Sequence, residues 1–172
     1  MPAQRNGFSL IEVMVSLVIL TVGLIGIFNL HIISKRGSFE SFQQTQASYY
    51  ANDMINRMKL NPSQLANYAG TYSGTPTEPS PNCTTATCNS GEMLAWDLYE
   101  WRASFNGADE VVGTQNVGGL DTATACVIVN NNTVNVIMSW KGIRETSDAG
   151  NNEDCGTAND RRRLYSVETV II

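Results

Sequence analysis

Histidine, proline and charge are scarce in this chain, and each shortage excludes something. One of 172 residues is histidine, His31. It lies in an apolar run, so a Ser–His–Asp hydrolytic arrangement would have to draw on a residue inside that run. No proline occurs between Pro2 and Pro62, so no ring breaks the helical hydrogen-bond ladder there. Charged residues make up 16% of the chain, below the usual quarter. The formal net charge is −5, which leaves no basic face for displacing counterions from phosphates; no nucleic-acid partner is expected. Glycine-rich phosphate-binding motifs are missing. The aromatic share of 8%, with its strand-like apolar runs, excludes full disorder.

What is present is concentrated at the start. From Phe8 to Ser34 the only formal charge is Glu12, and residues 13–33 contain no Asp, Glu, Lys or Arg. About 20 apolar residues suffice for a helix to cross a bilayer core. A seven-residue polar stretch, MPAQRNG, precedes the run, and no small-residue cleavage site of the secretory type follows it. The run is therefore expected to stay as an anchor. Arg5 with the amino terminus flanks one end and Lys35 with Arg36 the other, so flanking charge does not decide the orientation. A carboxylate near the middle of a bilayer costs roughly 2.5–3.5 kcal/mol, and less at an interface. Glu12 therefore either sits near the headgroups or awaits a cation on another subunit.

The string Gly7-Phe8-Ser9-Leu10-Ile11-Glu12-Val13 resembles the processing site of type IV prepilins and pseudopilins. The resemblance implies cleavage after Gly7 by a prepilin peptidase, N-methylation of the new terminus at Phe8, and an assembly role for Glu12. Short leader, Gly–Phe junction, glutamate offset and apolar run agree in register. The amine freed at Phe8 could then meet Glu12 of a neighbouring subunit, each offsetting the desolvation of the other.

Beyond Arg36, the positions Phe39, Phe42, Tyr50, Met54, Ile55 and Met58 recur mostly at gaps of three and four, which is helical spacing. One continuous helix is expected from about Phe8 to Leu60. It divides into a leader (1–7), a membrane-spanning half (8–34) and an amphipathic half (35–61) laid on a head (62–172). Residues 62–91, rich in proline and glycine, read as a long loop. Residues 92–105 read as a helix, with Leu94, Leu98, Trp101 and Phe105 on one stripe, Ser90 as cap and Asn106-Gly107 as stop. Residues 125–141 read as a hairpin turning at Asn130-Asn131-Asn132, and 163–171 as a further strand. The fold class is α+β: a long N-terminal membrane-spanning helix on a small antiparallel sheet of three or four strands, which is also the pilin-like architecture the resemblance implies.

Four cysteines allow three pairings. The favoured one joins Cys83 to Cys88, closing the loop locally, and Cys126 to Cys155, tying a strand to the Asn/Asp-rich segment at 145–160. Such bridges persist in an oxidising compartment. The alternative, a zinc site, lacks an accessible histidine, so no metal or other cofactor is expected. His31 reads as a helix residue near a membrane interface. Asp148, Asn151, Asn152, Glu153 and Asp154 offer oxygens to calcium but do not fit EF-hand spacing. Arg161-Arg162-Arg163 reads as a solvated strand end, with phosphate or partner binding as the minority alternative. Asp109-Glu110 lies in a loop and needs no catalytic explanation.

Within the pilin families, Arg57-Met58-Lys59-Leu60-Asn61-Pro62 and Asp97-Leu98-Tyr99-Glu100-Trp101 are similar to minor pilins of the PilV type. So are the cysteine-bearing loop between them, Ser139-Trp140 and the late Cys155. That resemblance implies a low-abundance assembly or priming subunit in or near a filament tip, and not an enzyme. Its implied partners are the prepilin peptidase, other minor pilins, the major pilin and the inner membrane, with the head in the periplasm before it reaches the cell surface. A type II secretion pseudopilin shares the leader, and a surface-binding pilus subunit is the other alternative.

Overall fold

The computed structural model describes residue 7, residues 9–146 and residues 155–172. These fall into two compact units, one up to Phe39 and one from Glu40 to Ile172. A single helix, α1 (Leu10–Leu60), begins in the first and ends in the second. Between Leu10 and Ile33 its large apolar side chains are all exposed, and the helix is long and apolar enough to cross a membrane. Hydroxyls in this stretch bond back to the helix, Ser16 Oγ to the Val13 carbonyl at 2.9 Å and Thr21 Oγ1 to the Val18 carbonyl at 2.8 Å. That satisfies them where no water is available.

In the second unit, α1 buries Gln43, Ala47, Tyr50, Ala51, Met54, Ile55 and Met58. This stripe differs from the expected one. Phe39 and Phe42 are 46% and 55% exposed; the packed face instead uses Gln43 and Ala47, one helical step around. A small alanine lets the helix approach the sheet closely, a feature a search for large apolar residues overlooks.

The segment read as a loop at 62–91 contains two elements. Pro62–Tyr68 forms a 3₁₀ helix, with proline at a position where its missing N–H costs nothing. Gly70–Ser73 forms strand β1, which is only four residues long and therefore has little alternation to read. Helix α2 (Ser90–Phe105) follows. Its cap is Asn89, not the expected Ser90. The Asn89 side chain accepts from the N–H groups of Gly91 and Glu92, both at 3.0 Å, while Glu92 accepts from the Asn89 N–H at 2.9 Å. This is a reciprocal capping box. Leu94 and Leu98 pack against the core, and Trp101 and Phe105 lie within it. After α2 the chain turns at Gly107, with φ +80; a Cβ there would stand 2.0 Å from the Gly118 carbonyl oxygen. The two-residue strands β2 (Val111–Val112) and β3 (Gln115–Asn116) form a small hairpin that the sequence did not announce.

Strands β4 (Thr124–Asn130), β5 (Thr133–Lys141) and β6 (Arg162–Val170) complete the head. The main sheet is antiparallel in the order β1-β4-β5-β6. Asn131 turns the β4–β5 hairpin with φ 55, a conformation asparagine tolerates. Val134, Val136, Met138 and Trp140 point to the face that shares a core with α1 and α2. On the other face, Cys126, Ile137 and Cys155 form a second apolar cluster, with Leu164 packed against it. The architecture is thus α+β and pilin-like: a long apolar N-terminal helix followed by a small antiparallel sheet.

Candidate assembly site and its supporting head

Gly7 is exposed, and Phe8, the expected methylation site, lies outside the described residues. So do Asp148, Asn151, Asn152, Glu153 and Asp154, the calcium candidates. The helix is established immediately after the junction. The Ser9 carbonyl accepts from the N–H of Glu12 at 3.0 Å and of Val13 at 3.3 Å. Glu12 is the acidic residue of the first turn, where the positive end of the helix dipole favours a carboxylate. It is exposed, as is every residue around it from Ser9 to Ile33. What this segment can do is therefore association: an apolar rod bearing one anion near its start, with nothing from its own unit covering it. His31 is likewise exposed on α1.

The head is fastened by two ionic clusters that spacing alone did not reveal. In the first, Arg57 reaches three carboxylates: Asp53 at 2.9 Å, Asp97 at 3.2 Å and Glu100 at 2.9 Å. Burial pulls its pKa down, but hydrogen bonds to Glu100 and Asp53 outweigh that and hold it above the ordinary value. Asp97 also accepts from the Tyr68 hydroxyl at 2.5 Å. Burial first, and then that bond to Asp97, push the Tyr68 pKa up. Asn61 Nδ2 donates to the Ser90 carbonyl at 2.8 Å, and the Trp101 indole N–H donates to the Tyr50 carbonyl at 2.8 Å. The end of α1 and the middle of α2, separate in sequence, are thus one polar seam over an aromatic core. Burial also raises the Tyr50 pKa, to about 12.

In the second cluster, Glu40 of α1 accepts from Arg144 Nη2 at 2.6 Å and Nε at 3.1 Å, and from the Arg144 backbone N–H at 3.1 Å. Arg163 Nη2 lies 3.5 Å from the same carboxylate. The side-chain bond from Arg144 is the main reason that the Glu40 pKa lies below its ordinary value.

The arginine run is not the solvated strand end expected of it. Alternation on β6 sends Arg163 to the helix side, where it meets Glu40. Arg162 goes to the opposite face, only 4% exposed, and its Nη1 donates to the Cys155 carbonyl at 3.2 Å. Arg161 pairs with Glu145 at 2.8 Å. The cysteines form two disulfides, Cys83–Cys88 and Cys126–Cys155, with Cα separations of 5.6 and 5.9 Å.

Residues 2–28 match the family model described as the prokaryotic N-terminal methylation motif. The chain carries a prepilin-type signal. That motif implies processing by a prepilin peptidase and assembly with other pilins, and it supports a place among type IV pilins and pseudopilins. Together with the apolar helix behind it, the motif suits anchoring in an inner membrane. No curated protein and no solved structure matches the chain.

Proposed function

We propose that this chain is a minor pilin of a type IV pilus, an assembly or priming subunit incorporated in or near the filament tip. The observation that carries the reading is the register of Gly7, Phe8 and Glu12 at the head of a charge-free apolar helix. Cleavage after Gly7 frees an amine at Phe8, and methylation leaves its charge in place. When helices of neighbouring subunits pack side by side, that amine and a neighbour's Glu12 carboxylate neutralise each other in a low-dielectric surround. Residues 8–34 serve as membrane anchor and then filament core, 35–61 carry the head, and the head faces the periplasm before export. The short motifs that resemble PilV-type minor pilins meet in space through Arg57, Asp97 and Glu100, which supports treating them as one unit. No catalytic activity is assigned to the chain.

The test is mass spectrometry of filaments sheared from cells, searching for a peptide that begins at methylated Phe8. Its presence in the sheared fraction supports a pilus subunit. Its confinement to membranes favours a type II secretion pseudopilin, and retention of residues 1–7 in every fraction overturns the prepilin reading. Glu12→Ala should leave the head folded and remove the protein from the sheared fraction.

A further inference from the structure

On the sheet face turned away from α1, a cavity of about 100 Å³ lies where β4 begins and β5 ends. Its walls include the hydroxyl-bearing Thr122, Thr124 and Ser139, and the cations Lys141 and Arg162; no described carboxylate lines it. Lys141 and Arg162 are direct partners across the β5–β6 ladder, so two cations stand opposite each other on one face. Like charges in that register disfavour the sheet by themselves. Arg162 is buried, and its bonds to the carbonyls of Cys155 and Gly156, at 3.2 and 3.4 Å, hold the guanidinium at the cavity wall.

Two backbone features keep the space open. Gly156 has φ +75, and a Cβ there would stand 2.4 Å from Ser139 Oγ. Thr122 adopts φ 52, uncommon for a β-branched residue. We propose that this cavity binds a small oxyanion of the phosphate type, held by Lys141 and Arg162 and by hydroxyl donors from β4 and β5. Hydroxyls can turn their hydrogens toward an anion, and bonds between a cation and an oxyanion are among the stronger ones available to a protein. The proposal does not depend on the pilus reading.

The experiment uses the full chain in a non-ionic detergent and titrates inorganic phosphate against chloride at constant ionic strength. The readout is the amide NMR shifts of Ser139, Lys141 and Gly156. Saturable shifts at these positions are expected, with the midpoint raised about tenfold in Lys141→Ala, the size of one charge-assisted hydrogen bond. Lys59→Ala, an exposed cation elsewhere, should leave the midpoint unchanged. Ser139→Ala serves as a second variant that keeps both charges and should also weaken binding. Glycerol phosphate distinguishes the sources of the group: saturation at a similar midpoint points to a phosphomonoester or lipid headgroup, and exclusion points to the free ion. Shifts that never saturate, or equal losses in Lys59→Ala and Lys141→Ala, overturn the proposal.

Discussion

Arg57 holds three carboxylates from two helices, and its own side chain is largely buried. Removing it leaves Asp97 enclosed with only the Tyr68 hydroxyl and no cation. Arg57→Ala should therefore cost about 3 kcal/mol of head stability, read by thermal or denaturant unfolding. Arg57→Lys should recover part of that, since an ammonium keeps the charge but cannot fork between partners. Glu40 gives a pH signature. Its folded pKa lies below the ordinary 4.5, so its contribution is complete above that value and is lost as pH falls through the folded pKa. The unfolding midpoint should drop below about pH 4.5, and Glu40→Gln should flatten that part of the profile.

At the scale of elements, α2 shows how local chemistry fixes an end. Asn89→Ala should cost about 1 kcal/mol through the lost cap, while Ser90→Ala should change stability far less, because Ser90 makes no capping bond. On α1 the exposed and packed faces should separate just as cleanly. Met54→Ala, in the core, should cost about 2–5 kcal/mol; Phe42→Ser, outside it, should stay within about 0.5 kcal/mol. Both helices and the β4–β5 hairpin were legible because their periods are sustained over many residues. Strand β1 and the β2–β3 hairpin were not, being four and two residues long and defined by pairing partners far along the chain.

For the whole molecule, the two disulfides differ in reach. Cys83–Cys88 closes a separation of 5 residues and Cys126–Cys155 one of 29. Chain-entropy arguments give about 2 and about 3–4 kcal/mol respectively. Replacing Cys126 and Cys155 with serine should lower the unfolding midpoint more than replacing the other pair, measured on the full chain under oxidising conditions. The longer bridge also fixes the segment that carries Gly156 beside Ser139, so its loss should weaken phosphate binding at the cavity as well.

The sequence by itself determined the class of this protein. A charge-free apolar run long enough for a bilayer, a glutamate five positions past a Gly–Phe junction and alternating C-terminal strands are local or periodic features, and such features need no knowledge of the fold. Tertiary structure decided which residues act together. Arg57 finds Glu100, Glu40 finds Arg144, and Lys141 faces Arg162 because packing and strand register bring distant segments within bonding range. A run of three arginines looks uniform in the sequence, yet alternation along β6 sends Arg163 to the helix and Arg162 to the opposite face.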